Sequence, residues 1–213
     1  IITFPQLADL HLERTQEKHE NPDAFRGYRT SFPVFDSILG GFHSGWYIVI
    51  GGPEKSGKSA FATSLTMNFA RNGVSTMFIS LEMDNAQMAA RIYANASGVE
   101  LNKFRDVELD DDDWDRVYET HKALQGYVGN FAYGIFDVES VVNVVMQHQP
   151  QVVVIDYAQL METSEATNQR HEALATISRK FKMMSLGHFV EGYKPCVIAL
   201  AQLNQEAAKV GNF

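Results

Sequence analysis

A glycine-rich segment between a predicted strand and a predicted helix constrains the fold of this chain more than any other feature. Residues 52–59 read GPEKSGKS, which matches the pattern G-x-x-x-x-G-K-[ST]. The preceding residues 47–50 are apolar, which predicts a short buried strand. The following residues 60–70 carry large apolar side chains at i, i+4 and i+8, a spacing typical of a helix. Strand, loop and helix in this order predict a P-loop that binds a nucleoside triphosphate.

Each residue type in this loop has a chemical role in holding phosphates. The glycines let the backbone turn so that successive N–H groups face an anion, and the helix that follows directs its positive dipole end at the same place. Lys58 supplies a cation for the β and γ oxygens, and the Ser59 hydroxyl is a ligand for Mg²⁺. The predicted nucleotide-binding residues are Gly52, Pro53, Glu54, Lys55, Ser56, Gly57, Lys58, Ser59 and Ala60.

Composition narrows the class of protein and its surroundings. The chain has 213 residues, 45% of them hydrophobic, which suits one large domain with a sizeable core. A formal net charge of -8 argues against a surface made for non-specific duplex binding, although a few basic loops could still line a pore. The one cysteine, Cys196, cannot form an internal disulfide, which fits a reducing cytosol.

No targeting or membrane segment is expected. No apolar run approaches the ~20 residues that a membrane helix needs. The chain begins with Ile1 and has no basic stretch followed by an apolar one, so we expect no signal peptide. The missing initiator methionine indicates a fragment or a processed chain.

Strands and helices alternate along the chain, and the strands are continuous apolar runs. This pattern predicts an α/β fold with a mostly parallel sheet and helices on both faces. We expect residues 1–29 to form a leader helix and linker, and residues 30–213 to form the main domain. Further strands are predicted at 74–81, 131–136, 152–155 and 196–201, and further helices at 85–97, 114–124, 138–148 and 172–186.

An acidic run at residues 108–115 precedes one of these helices. Aspartates at a helix N-terminus are explained by capping and by the helix dipole. We therefore interpret the run as structural, and metal binding is the weaker alternative.

Polar residues follow three of the predicted strands at the point where each strand ends. In parallel sheets the ligand binds outside the carboxyl ends of the strands, so these residues should meet the nucleotide. Asp156 is the expected Mg²⁺-side carboxylate. Glu82 is the candidate general base that orients the attacking water, with helix capping as its alternative role. Gln202 is placed to hydrogen-bond the γ-phosphate.

Four blocks of sequence together resemble one protein family. They are GGPEKSGKS at 51–59, ISLEM at 79–83, VVVIDYAQLM at 152–161 and IALAQLNQE at 198–206. These blocks are similar to the RecA-like motor domain of DnaB-type hexameric replicative helicases. The SLEM block and the DYxQLM continuation are the most specific pieces, and the similarity spans residues 30–206.

This resemblance implies a motor that assembles as a homo-hexameric ring, hydrolyses ATP or another NTP with Mg²⁺ at subunit interfaces, and unwinds duplex while moving along single-stranded DNA. Matched position by position, Lys58 and Ser59 are the P-loop residues and Glu82 is the catalytic glutamate. Asp156 is then the Mg²⁺ aspartate and Gln202 the γ-phosphate-sensing glutamine.

The resemblance also implies partners and a location. The leader helix lies where the family has a linker helix that docks on the neighbouring subunit. Primase and a helicase loader would bind through regions outside this chain, with no membrane involved, in the cytoplasm of a bacterium or of a phage-infected host. Arg91 falls where the family often has an arginine, and we interpret it as one half of a local ion pair.

Some features depart from the family pattern. The loop interior GPEKSGKS is closer to RecA recombinase, and residues 189–194 lengthen one connection without an evident role. In the family the arginine finger lies beyond the point where this sequence stops, so we expect the chain alone to hydrolyse NTP poorly. Only Arg170 and Lys209 offer positive charge in the loops expected to face the pore.

Two other functions are compatible with the same nucleotide site. A RecA- or KaiC-like ATPase without unwinding activity is favoured by GPEKSGK and disfavoured by DYAQLM. A non-catalytic ring component is disfavoured by the presence of Lys58, Glu82 and Asp156 together.

Overall fold

The structure is a computed structural model that describes residues 1–22, 26–164 and 170–203. The chain divides into two compact units, Ile1–His43 and Ser44–Phe213. The domain boundary at residues 29 and 30 stays a prediction.

In the described part of the first unit, the α-helices are α1 (Phe4–Glu20) and α2 (Pro33–Leu39). Thr3 caps α1 in a reciprocal capping box with Gln6, which satisfies free N–H groups at the helix start. No residue of α1 is buried. Helix α2 ends at Gly40, whose φ of 71° is the left-handed conformation that glycine adopts without steric cost.

The second unit is built on a five-stranded parallel sheet with the order β1-β5-β4-β2-β3. The strands are β1 (Tyr47–Gly52), β2 (Thr76–Ser80), β3 (Gly129–Tyr133), β4 (Val152–Asp156) and β5 (Cys196–Gln202). The helices are α3 (Lys58–Arg71), α4 (Asn85–Ser97), α5 (Leu101–Asp106), α6 (Asp111–Leu124), α7 (Val138–His148) and α8 (Arg170–Ser185), with a short 3₁₀ helix at Ala158–Leu160.

Helices cover both faces of the sheet. Alternate residues of each apolar strand point to opposite faces, so both faces are apolar and must be buried. On one face, side chains of β2, β4 and β5 form one core cluster with α7 and α8; its strand members are Met77, Ile79, Val153, Ile155, Val197 and Ala199. On the other face, α3 contacts four strands and buries Leu65 and Phe69 completely. The predicted fold class is therefore confirmed.

The observed elements differ from the predicted ones mainly at their ends. Strand β3 begins and ends earlier than the predicted 131–136, because it pairs with β2 from Gly129, opposite Thr76, to Tyr133, opposite Ser80. Helix α5 was not predicted, since it is only six residues long.

The acidic run caps α6, as expected. Asp110 accepts a hydrogen bond from the backbone N–H of Asp113 at 2.8 Å. The Asp113 carboxylate is buried and is neutralised by Lys103 and Arg116. No group of three or more His, Cys, Asp or Glu side chains that could hold a metal ion occurs in the described residues.

The long connection at residues 189–194 has a structural role. The Tyr193 hydroxyl donates to the carbonyl oxygen of Pro150 at 2.6 Å, just before β4. The carbonyl oxygen of Lys194 accepts from the backbone N–H of Gly45 at 3.2 Å, just before β1. The connection thus braces the amino ends of two strands, opposite the edge that carries the P-loop.

The single cysteine, Cys196, is buried at the start of β5. Burial raises the pKa of the Cys196 thiol to about 12, so this thiol is unreactive near neutral pH.

Among the helices of the described residues, none has both the length and the apolar character needed to cross a bilayer.

Candidate nucleotide-binding site

The P-loop connects β1 to α3 in the conformation that its sequence predicts. Gly57 has a φ of 89° and is the N-cap of α3, a position that strains any residue with a Cβ. A Cβ on Gly52 would lie 2.8 Å from the Ser56 hydroxyl oxygen, so a larger residue here would displace the Ser56 side chain. The ammonium of Lys58 donates to the carbonyl oxygen of Pro53 at 2.8 Å, which folds the lysine back over the loop. The N-terminus of α3 and the ammonium of Lys58 therefore lie on the same side of the loop.

The strand order brings the predicted phosphate-binding residues to one edge of the sheet. β5 lies between β1 and β4, and β2 lies on the other side of β4, so Gln202, Asp156 and Glu82 follow neighbouring strands. The backbone N–H of Leu81 donates to the carbonyl oxygen of Asp156 at 2.8 Å, which fixes the start of the segment that carries Glu82.

A cleft of about 360 Å³ opens at this edge. Its lining residues are Glu54, Lys55, Ser56, Gly57, Lys58, Ser59, Ala60, Glu82, Met83, Arg91, Asp156, Tyr157 and Gln202. Gly52 and Pro53 lie on the adjacent side of the loop, in a shallow groove with Phe61. Every other residue that the sequence analysis assigned to nucleotide, Mg²⁺ or catalysis lies in the cleft.

Asp156 is the most buried ionisable group of the cleft, with 1% of its surface exposed. Burial raises its pKa, and the nearby Glu82 charge acts in the same direction. A hydrogen bond from the Ser59 hydroxyl and the charges of Arg91 and Lys58 oppose this shift. The oxygen Oδ2 of Asp156 has no hydrogen-bond partner among the described residues.

This arrangement fits a divalent cation. Mg²⁺ binds oxygen ligands and is usually held by one or two carboxylates together with substrate phosphates. The open Oδ2 of Asp156 and the adjacent Ser59 hydroxyl supply such ligands, and a cation would relieve the cost of the buried charge.

Glu82 lies exposed in the cleft and does not cap a helix. The N-cap of α4 is Asp84, which accepts a hydrogen bond from the backbone N–H of Gln87 at 2.9 Å. Capping as the alternative role of Glu82 is therefore wrong, because the residue two positions later performs it.

The sequence analysis did not place two residues in the cleft, Arg91 and Tyr157. Arg91 was interpreted as half of a local ion pair; it forms no salt bridge with a described residue, and it lines the cleft, where its charge acts on Asp156. Its position on the helix after Glu82 was the available signal. Tyr157 follows Asp156 through a cis peptide bond, and burial raises its pKa, with Glu82, Asp156 and Glu54 adding to the shift.

Of the two cations predicted to contact DNA, only Arg170 is among the described residues, and it does not line this cleft. Arg170 is exposed at the start of α8, where its guanidinium donates to the carbonyl oxygen of Met161 at 3.3 Å. Lys209 falls outside the described residues. DNA contact by either residue stays a prediction.

A family model described as the DnaB-like helicase C terminal domain matches residues 27–212. The chain belongs to this family. The resemblance inferred from the P-loop, SLEM, DYAQLM and ALAQLNQE blocks is thereby confirmed, and the RecA- or KaiC-like alternative loses its support at the level of family.

Curated relatives carry the same family name at moderate identity. The replicative DNA helicase DnaB of Helicobacter pylori (strain ATCC 700392 / 26695) is 26% identical over 197 residues, covering 90% of this chain and 39% of the relative. The DnaB of Treponema pallidum (strain Nichols) is 28% identical, covering 97% of this chain and 48% of the relative. The DnaB-like chain thus spans about two fifths to one half of these relatives.

Solved structures show the same fold. A DnaB-like replicative helicase, whose structure was described with its interactions with primase, superposes with a TM-score of 0.82 at 22% identity, covering 94% of this chain and 49% of that one. The ATPase domain of G40P superposes with a TM-score of 0.83 at 24% identity, covering 94% of this chain and 72% of that one. The parallel sheet and its helices are therefore those of DnaB-like ATPase domains.

Proposed function

We propose that this chain is the NTP-hydrolysing motor domain of a ring-shaped replicative DNA helicase, with ATP as the nucleotide and Mg²⁺ as the metal. One observation carries the proposal: Lys58, Ser59, Glu82, Asp156 and Gln202 line a single cleft at the carboxyl edge of the sheet. A cation, a hydroxyl, two carboxylates and an amide in one place are the groups that phosphoryl transfer needs.

Each residue then has a distinct task. The P-loop backbone and Lys58 bind the phosphates, while Asp156 and Ser59 would hold Mg²⁺, which neutralises phosphate charge when bound. Glu82 orients the attacking water and accepts its proton, because it is an exposed carboxylate of the cleft, lies just after the end of β2, and is not occupied by a capping bond. Gln202 hydrogen-bonds the γ-phosphate from the end of β5.

The wider assembly is part of the same proposal. The protein forms a homo-hexameric ring around single-stranded DNA in the cytoplasm of a bacterium or of a phage-infected host. Helix α1 docks on the neighbouring subunit, and its lack of any buried residue within its own chain supports this role. Arg170 and Lys209 track the DNA backbone, and primase and a helicase loader bind elsewhere on the full protein. The description of one structural neighbour with primase supports the primase interaction.

The test compares the full-length protein with its Lys58→Ala variant. Loss of the phosphate-binding cation should lower NTP turnover by about a hundredfold or more and abolish strand displacement on a forked DNA substrate. Lys122→Ala is the matched control, because Lys122 forms only an exposed pair with Glu119 on α6. Wild-type turnover in Lys58→Ala would refute the nucleotide site. Turnover without strand displacement, together with strand exchange activity, would favour the recombinase-like alternative.

A further inference from the structure

Gln159 connects the segment after Asp156 to the strand that carries Gln202. It lies in the 3₁₀ helix Ala158–Leu160, directly after β4 and Tyr157. Its side-chain Nε2 donates a hydrogen bond of 2.9 Å to the carbonyl oxygen of Gln202. The two residues are separated by 43 positions in the sequence, so this bond is purely tertiary.

The hydrogen bond from Gln159 to Gln202 lies just beyond the point where β5 stops pairing with β4. The β4–β5 pairing ends at Ile155 and Ala199, whereas the β1–β5 pairing continues to Gly52 and Gln202. Residues 200–202 of β5 therefore pair with β1 in the described ladders, and on the β4 side the Gln159 amide supplies the donor. The Gln159 amide is thus a direct link between the segment after β4 and the backbone of Gln202.

The side-chain oxygen of Gln159 argues against a role in stability alone. Its oxygen Oε1 is buried and has no hydrogen-bond partner among the described residues. Burying an amide oxygen without a partner is unfavourable. An apolar side chain of similar size would avoid this cost, so the stability of the fold gains little from a glutamine here.

We propose that Gln159 is a positioning residue for NTP hydrolysis, which acts by fixing the backbone of Gln202 relative to the Asp156 end of the cleft. The inference rests on the proposed function, since Gln202 matters to hydrolysis only if the cleft holds a triphosphate. A side chain that contacts a γ-phosphate must be placed to within a fraction of an ångström, and a displacement of its backbone lowers the rate without removing the group.

The experiment measures steady-state NTP hydrolysis, nucleotide affinity and thermal unfolding of the full-length protein. Gln159→Met removes the donor and the unpaired oxygen while keeping the volume. We expect kcat to fall about tenfold, with nucleotide Kd and Tm close to wild type, because the P-loop and the core are untouched. The matched control is Gln151→Met: Gln151 accepts from the backbone N–H of Ser75 at 2.9 Å, at the opposite end of the sheet. This control should leave kcat unchanged.

A double-mutant cycle separates positioning from a general structural effect. In a Gln202→Ala background, Gln159→Met should cause no further loss of kcat, because the side chain that it positions is gone. An equal loss of kcat in both backgrounds, an unchanged kcat in the single variant, or a loss matched by a fall in Tm would overturn the inference. A wild-type protein without turnover, or wild-type turnover in Lys58→Ala, would instead refute the proposed function.

Discussion

Asparagine in place of Asp156 removes a buried charge while preserving the shape of the side chain. In the nucleotide-free protein this charge is unfavourable, because the carboxylate is 1% exposed and its Oδ2 has no partner among the described residues. The Ser59 hydroxyl and the charges of Arg91 and Lys58 recover only part of the cost, since the net effect is a raised pKa. The substitution should therefore stabilise the fold and disable the site.

The expected gain in stability follows from removing the charge of a buried group that lacks one hydrogen-bond partner. Such a group costs about 1–3 kcal/mol when it is neutral and more when it is charged, and the lost attraction to two cations leaves a net gain of about 1 kcal/mol. For a chain of this length, 1 kcal/mol corresponds to a rise in Tm of about 2–4 °C. Thermal unfolding followed by circular dichroism, without nucleotide and without Mg²⁺, measures this directly.

The gain should depend on pH in a defined direction. Because the pKa of Asp156 is raised in the folded state, the folded protein binds this proton more tightly than the unfolded chain does. The destabilisation of the wild type is fully present above the raised pKa and disappears as the pH falls through it toward the ordinary value of 3.8. The Tm difference between Asp156→Asn and wild type should therefore shrink on acidification.

Catalysis should change in the opposite direction to stability. Loss of the Mg²⁺-side carboxylate removes several kcal/mol of transition-state stabilisation, so NTP turnover should fall by about a hundredfold or more. Asp137→Asn is the matched control: Asp137 caps α7 by accepting from the Ser140 N–H at 2.7 Å, and asparagine caps equally well. A Tm at or below wild type near neutral pH, or a gain that does not vary with pH, would refute the reasoning.

Two further substitutions test other carboxylates. Glu82→Gln should leave nucleotide affinity near wild type and lower turnover by about 10²–10⁴-fold, because it removes the general base; lost affinity with unchanged residual turnover would make Glu82 structural. Burial opposes ionisation of Glu139, but hydrogen bonds from Lys180, its own backbone N–H and Ser164 outweigh it and hold its pKa at about 2. Glu139→Gln should therefore lower stability by about 1 kcal/mol after allowance for solvent screening. The Tm gap to wild type should close as the pH falls from 4.5 toward 2, and a gap independent of pH would contradict the assignment.

The position of functional residues at strand ends was predictable because it follows from two local patterns. Short apolar runs identified β2, β4 and β5. Glu82 follows β2 by two residues, whereas Asp156 and Gln202 are the last residues of β4 and β5. A parallel sheet places all of its carboxyl ends at one edge, so the sequence predicts that these residues share that edge, whereas the strand order makes them neighbours there. Element ends were less accurate, as β3 shows, because pairing partners decide where a ladder stops.

The roles of Arg91 and Asp84 show where local reasoning fails. An arginine on a helix is compatible with an ion pair, a surface position or a ligand contact, and only the packing of α4 beside the cleft distinguishes them. Glu82 and Asp84 are both plausible caps by composition, and the backbone conformation of Asp84 decides between them. Neither distinction is encoded within a window of a few residues.

The sequence by itself determined the P-loop, because its eight contiguous residues specify both the backbone path and the chemical groups that face a phosphate. It also determined the fold class, since apolar runs alternating with helical periods allow a covered parallel sheet, and the resemblance of its four motif blocks indicated the family. Only the tertiary structure decided the order β1-β5-β4-β2-β3, the burial of Asp156 and the bond from Gln159 to Gln202. These depend on contacts between segments far apart in the chain, whose free energy is settled by packing across the whole sheet.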